Sequence, residues 1–391
     1  MVAEDTDVVV IGGGLLGCAA SSYLARSGVE VVLLERSELN REASGTNAGS
    51  LHIQLLRPPR PEMEWLDSYR PMVQMHINAA RAWRGLEDDI HASVGVRMRG
   101  GLLLAETEEQ VRVLEKKVAV EQDSGMDTHL VDGDEARVLC PLLSDAVIAA
   151  DYCPDDGIAN SLLVAPALAQ SAADNGARVR VQHEVQAIQT LDAGGFLVST
   201  SKGSVRAKRV VNAAGGWAGK VAQMVGVQLP ISPDVLQMSV TEAQPSELDL
   251  LIQHIGRRLT LKQAASGTYI IGGGWGGGIE AASGLKFPEF DSIAGNMWAA
   301  VTVIPRLARV RVTRSWAGMG ANTPDWRPIV GECDGVPGFF TLFAGLGFTL
   351  GLVCAQQLVD RMTSPRDMRT TMVPKDDAVA PAGPTREERS R

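Results

Sequence analysis

The stretch from Asp7 to Gly17, DVVVIGGGLLG, constrains this 391-residue chain more than any other, because a run of β-branched residues meets closely spaced glycines there. Val8 to Ile11 has the unbroken apolar character of a parallel strand covered on both faces. Gly12, Gly14 and Gly17 follow the G-x-G-x-x-G spacing, residues 15–27 carry a helical pattern, and a second strand at 30–34 (EVVLL) ends at Glu35. Each position meets one demand of a dinucleotide. The first glycine allows a tight turn, the second a close approach of backbone to pyrophosphate, the third close packing of helix on sheet, and the acid accepts ribose hydroxyls. The strand, helix and acid distinguish this triplet from an ordinary glycine-rich turn. A second copy of the spacing, Gly272, Gly274 and Gly277 in YIIGGGWGGGIE, has no periodic helix after it and predicts a loop.

Composition narrows the class. Apolar residues make up 45% of the chain, enough for a substantial core, and the net charge of −9 argues against binding a phosphate backbone, so nucleic acid is not an expected partner. Cys18, Cys140, Cys153, Cys333 and Cys354 are scattered, which suggests neither a disulfide framework nor a metal site. The acidic opening MVAEDTD lacks the basic start and apolar helix of an export signal, and a cytoplasmic location is expected. Residues 335–359 carry no charge, yet Gly345, Gly347 and Gly351 interrupt them, so they read as buried strand, glycine bend and buried helix rather than a transmembrane segment.

Farther along, 108–124 reads as a charged amphipathic helix and 161–175 as an apolar helix stopped by Gly176. From Glu184 onward, short alternating runs predict a meander and a mixed sheet. The tail, 374–391, is charged, proline-containing and aperiodic, and mobility is expected there.

Beyond Glu35-Arg36 comes ASGTNAGS (43–50), small polar residues able to offer N–H groups and hydroxyls to phosphate and ring. Two more strand-then-glycine bends follow, RVVNAAGGWAG (209–219) and FAGLGFTLG (343–351). Together with SWAGMGANTPDWRPIVG, these motifs resemble the D-amino-acid-oxidase-like family of FAD-dependent oxidoreductases, which includes glycine oxidase, sarcosine oxidases and flavin subunits of opine and hydroxyproline dehydrogenases. The resemblance runs from Asp7 to about Asp360.

The resemblance implies an α/β architecture in which a Rossmann-like FAD-binding domain is discontinuous (1–85, 140–220, 315–370). A substrate-binding domain (86–139, 221–314) is built on a mixed or antiparallel sheet with helices. FAD would be held by Gly12, Gly14, Leu15, Leu16, Glu35 and Arg36 around adenosine and pyrophosphate. Ser44, Asn47, Ala48, Gly49, Ser50 and Leu51 would lie along the phosphates and ring edge, and Val185 against adenine. Ala214, Gly215 and Trp217 would follow the strand crossing, Gly318 would sit in the C-terminal motif, and Gly345, Leu346, Gly347, Phe348 and Thr349 would approach the flavin.

The implied reaction oxidises the CH–N bond of an amine or amino acid, giving an imine that water hydrolyses. Family amino-acid oxidases carry an arginine after W-x-G-x to grip the substrate carboxylate, where this chain has Gly320-Ala321. That departure favours N-substituted amino acids or secondary amines, as in opine or hydroxyproline substrates. His52 and Gln54, in GSLHIQLL, could face the ring or merely satisfy neighbouring backbone. The resemblance sets Met319 near the ring. Lys262, Tyr269 and Trp275 lie on substrate-domain strands, and Arg57, Arg60 and Arg70 are possible anion partners or solvated surface. Two rivals stay open: a flavin dehydrogenase for a 2-hydroxy acid, and a flavin or electron-transfer subunit working with partner subunits or another electron acceptor.

Overall fold

The computed structural model describes residues 4–56 and 65–363. The 374–391 tail, Arg57 and Arg60 lie outside the described residues. One eight-stranded sheet runs in the order Ile329–Glu332, Phe339–Phe343, Gly203–Asn212, Glu4–Ile11, Val31–Leu34, Arg178–Arg180. The hairpin of Val185–Thr190 and Phe196–Thr200 joins it antiparallel to Gly203–Asn212. Glu4–Ile11 is parallel to both neighbours, and Val8, Val9 and Val10 are completely buried. Such side chains, removed from water, each contribute about 1.5–3 kcal/mol, which is why the run carries no polar alternation.

The helix Leu15–Arg26 leaves the first strand through the glycine bend and packs between the helices Val164–Asp174 and Gly347–Thr363. Val164–Asp174 starts later than the apolar pattern predicts, because the Leu162 N–H donates to Asn160 Oδ1 (3.0 Å) in a side-chain turn. The uncharged run 335–359 forms the strand Phe339–Phe343, a bend and the start of the last helix. Among the described residues no helix is long and apolar enough to cross a membrane. In the second glycine cluster, Gly272 closes the strand Thr268–Gly272 and Gly277 opens the strand Gly277–Ile279, with no helix between them and the strand Lys286–Pro288 next in the chain.

A second eight-stranded sheet runs Val312–Asn322, Ser232–Ala243, Thr268–Gly272, Thr260–Gln263, Leu251–His254, Gly101–Ala105, Ala149–Cys153, His129–Asp132. It is mixed, with Leu251–His254 parallel to Gly101–Ala105 and antiparallel to Thr260–Gln263. Ala149–Cys153 and most of Val312–Asn322, from spans expected in the FAD-binding portion, are laid in this sheet. On one face Ile252, Leu261, Tyr269 and Ile271 pack against Ala299, Ala300 and Val303 of the helix Phe290–Val303. Strand alternation therefore turns Gln253 and Lys262 to the other face, toward the bend at 47–52. A short ladder, Ser50–Leu51 on Gly157–Ile158, supports that bend.

Candidate active site

At the nucleotide end, backbone geometry enforces each glycine. Gly12 has φ +112°, and a Cβ there would stand 2.5 Å from the Ala213 carbonyl oxygen; one on Gly17 would strike the Gly12 carbonyl. Gly14 caps the first helix with no side-chain hydrogen bond, so the N–H groups of the first turn are answered by few protein groups. The Leu15 N–H donates to Ser44 Oγ at 2.9 Å, which brings the small polar stretch onto the helix N-terminus. Glu35 accepts from Gly13 N (2.7 Å) and Ser37 N (2.9 Å), and its carbonyl accepts from His183 N (2.7 Å), drawing the chain before Val185 alongside. Arg36 lies over the Trp217 ring at 3.8 Å and pairs with Glu42 at 3.2 Å. Lys286, from the strand Lys286–Pro288, closes on the same Glu42 carboxylate at 2.8 Å.

The second centre forms where the 43–52 bend, the last helix and the second sheet meet. Asn47 fastens the bend: its Nδ2 donates to the Ala43 and Ser44 carbonyls, and its Oδ1 accepts from Gly49 N at 2.6 Å. Gly49 has φ +71°, and a Cβ there would lie 2.8 Å from Lys262 Nζ. His52 N donates to Thr349 Oγ1 (3.1 Å), the Thr349 carbonyl accepts from Trp83 Nε1 (2.8 Å), and Trp83 packs on Phe348. Gly347 lies over Leu16, Gly345 over Asn322, and Gly318 is held against Thr46. Trp316 Nε1 also donates to the Thr46 carbonyl, at 2.7 Å. Ala48, Ser50 and Leu51 are buried, and Ala214 and Gly215 form the turn before Trp217.

Lys262 has no carboxylate partner among the described residues; its nearest acceptor is the Ala159 carbonyl at 3.4 Å. Burial, aided by the charge of Arg97, drops its ammonium to about 7. Burial likewise lowers His52 to about 4, against the pull of the neighbouring Gln253 amide, and His76 and Lys262 push the same way as burial. The sequence offers Lys262 only as a weak candidate for the substrate carboxylate on a substrate-domain strand, since a single lysine in TLKQ carries no spacing signal. Only the fold shows it opposite Gly49.

Gln54 is turned away from the bend into a buried polar cluster: its Nε2 donates to Asp156 Oδ2 (2.9 Å) and its Oε1 accepts from Lys117 Nζ (3.2 Å). Both ends of the amide are thus engaged, and Gln54 satisfies neighbours rather than a ring. Met319 lies against Gly216, its Cγ 3.3 Å from a Cβ position there, because alternation along Val312–Asn322 turns it opposite to Gly318. Tyr269 belongs to the helix-side core and Trp275 donates to the Arg258 carbonyl, so both pack. Arg70 faces Asp123 at 3.8 Å on the surface.

The helix N-terminus without a side-chain cap from Gly14, the acid at the strand end, and the buried Ser50 Oγ and His52 Nδ1 at the bend, unpartnered among the described residues, suit a dinucleotide with a ring beyond it. This fold and site define a flavin-type dinucleotide enzyme. The profile of the DAO family, FAD dependent oxidoreductase, matches residues 7–361, and the chain belongs to that family. It is 29% identical over 370 residues to an opine oxidase subunit of Rhizobium meliloti, covering 90% of this chain and 93% of that protein. It is 30% identical over 376 residues to mitochondrial sarcosine dehydrogenase of Mus musculus, covering 90% of this chain but 39% of that protein. The crystal structure of L-proline dehydrogenase from P. horikoshii shares the fold with a TM-score of 0.82 at 24% identity, covering 93% of this chain and 94% of that one.

Proposed function

We propose that the chain oxidises the CH–N bond of an amino acid whose nitrogen bears a further substituent, of the opine, sarcosine or proline kind. The carrying observation is the pair Lys262 and His52, both desolvated and both weak bases, at the bend beside Gly49. An amine gives up hydride from its α-carbon only when its nitrogen lone pair is free, and above about pH 7 these two neighbours are themselves neutral and place no acid beside it. Bound FAD supplies the two-electron acceptor. Gly12, Gly14, Leu15, Leu16, Glu35, Arg36 and Val185 would hold its adenosine end, with Ser44, Asn47, Ala48, Gly49, Ser50 and Leu51 along its length. Ala214, Gly215 and Trp217 would line the crossing, with Gly318 and Gly345 to Thr349 at the ring. The substrate carboxylate would be met by Arg97, since Gly320-Ala321 offer no guanidinium.

The relatives that carry the N-substituted substrates in their names support this substrate class. The near full-length match to one subunit of an opine oxidase supports partner subunits as the route for electrons. Anaerobic bleaching of the flavin against D- and L-amino acids, N-alkyl amino acids, opines and 2-hydroxy acids tests the proposal. Bleaching by N-substituted amino acids is the expected result. Bleaching by hydroxy acids alone would replace this reading with the 2-hydroxy acid dehydrogenase, and bleaching without peroxide formation in air would favour a partner acceptor.

A further inference from the structure

Behind the bend lies a cluster of completely buried ionisable groups: Lys117 and Glu121 from the helix Glu108–Asp123, Asp151 from the strand Ala149–Cys153, and Asp156. Lys117 Nζ donates to Glu121 (2.7 Å) and Asp151 (2.6 Å). Asp156 reaches toward the site instead. Its Oδ1 accepts from the backbone of Ile53 (2.7 Å) and Gln54 (3.0 Å), fixing the chain immediately after His52. Its Oδ2 accepts from Gln54 Nε2 (2.9 Å) and Gln253 Nε2 (3.1 Å). While Asp156 is ionised its oxygens only accept, so the nitrogen end of the Gln253 amide is committed to Asp156 and Oε1 is turned the other way.

That Oε1 is buried and has no donor in hydrogen-bonding geometry among the described residues, and His52 Nδ1 is in the same condition. The neighbouring group is the His52 imidazole itself, whose proton affinity the Gln253 amide raises. An acceptor presented to a neutral imidazole is satisfied by the ring nitrogen that carries hydrogen, and this leaves the other nitrogen as a lone-pair acceptor. The ring is held in place on its main-chain side as well. His52 N donates to Thr349 Oγ1, and the His52 carbonyl accepts from His76 Nδ1 at 3.2 Å.

We propose that Asp156 is a positioning residue that acts through Gln253 to fix which nitrogen of His52 carries the proton, so that the other faces the substrate amine as a hydrogen-bond acceptor. The substrate half of this proposal rests on the reading of His52 given above; the tautomer half stands on the buried chain alone. The groups facing the chain are Lys117, Glu121, Asp151 and Cys153 around Asp156, and His76 and Lys262 around His52.

Nitrogen-15 spectra of histidine-labelled holoprotein read the tautomer directly. Above about pH 8, where Asp156 is ionised, the wild type is expected to show His52 as a single neutral tautomer. Gln253→Leu matches the side chain in bulk and leaves Asp156 its three other donors, and it is expected to give a tautomer mixture. Asp156→Asn, whose amide turns the Gln253 amide over, is expected to favour the opposite tautomer. With a substrate that bleaches the wild type, both variants should slow flavin reduction about tenfold or more and move the inflection of its pH profile, and the double variant should be no slower than the slower single one. A tautomer mixture in the wild type, or an unchanged tautomer in Gln253→Leu, overturns the proposal, as do additive rate effects. If Asp156→Asn does not fold, Gln253→Leu decides. Failure of every amine to bleach the flavin would count against the functional reading, while the spectra would still decide this one.

Discussion

The Lys262 amine stands 2.8 Å from the point where a side chain on Gly49 would begin. A strand of the second sheet thus touches the bend carried by the first, and the residue that permits this has no Cβ. The left-handed φ of +71° at Gly49 costs another residue about 1–2 kcal/mol, and any Cβ would also strike the Ala159 carbonyl. Gly49→Ala is therefore expected to lower the melting temperature by several degrees and to leave the purified protein with substoichiometric flavin. Thermal melting and the flavin-to-protein absorbance ratio check both.

Lys262 gives a pH-dependent prediction. Its ammonium falls from 10.5 in the unfolded chain to about 7 when folded. Between those values the unfolded chain holds a proton that the folded protein lacks, so this residue makes stability rise with pH across that window; below it, the cost of burying the charge is complete. Lys262→Met is expected to raise stability by a few kcal/mol near about pH 6, and by little near about pH 10. Denaturant melts of holoprotein at the two pH values measure the difference, and an equal gain at both would refute the assignment.

The buried carboxylates predict the opposite slope. Desolvation lifts Asp156 from 3.8 and Glu121 from 4.5 to about 7, with hydrogen bonds and Lys117 opposing the shift. Their folded-state affinity for protons exceeds the unfolded one, so the stability they confer is present below about pH 4 and is lost as pH rises through about 7. Each contributes a slope of up to about 1.4 kcal/mol per pH unit in between. Glu121→Gln should flatten the fall of the urea midpoint between about pH 5 and 8.

Lys117→Met is expected to be far more damaging than either carboxylate change. It leaves Glu121 and Asp151 buried without their shared cation, a loss of about 3–5 kcal/mol. Soluble yield and melting temperature report it, and Lys117→Met with Glu121→Gln should recover part of the loss.

Glu42 ties the Arg36 end of the nucleotide sheet to Lys286 of the strand Lys286–Pro288, from the other half of the chain. Both pairs are partly exposed, so each contributes about 1 kcal/mol or less. Glu42→Gln should raise the FAD dissociation rate a few-fold, with the wild type approaching the variant as salt is raised. Flavin fluorescence recovery on dilution measures it.

What could be read from the residues alone was whatever depends on local repetition. The strand at Val8–Ile11, the glycine bend, the helix after it and the acid at Glu35 are consecutive, and the structure places them as the spacing predicts. The uncharged run ending at Val359 was resolved by its glycines. What escaped was anything assembled from distant segments. Lys262 gains its character from Gly49 and Arg97, which are far away in sequence. Gln54 is two positions beyond His52 in a segment without regular alternation, and only the location of Asp156 decides which way its amide points. The Lys117–Glu121 spacing reads as a solvated helical pair, and only the packing of Glu108–Asp123 reveals that both are dry.

The nucleotide sheet takes Glu4–Ile11 from the beginning of the chain and Phe339–Phe343 from near its end, with Gly203–Asn212 between them, and the final helix lies on the first. On the ribosome, the glycine bend emerges long before the last helix that must cover it. The cradle is completed only when synthesis has passed Thr363, so loading of the prosthetic group follows that point, and nascent fragments must keep their exposed valines from aggregating until then.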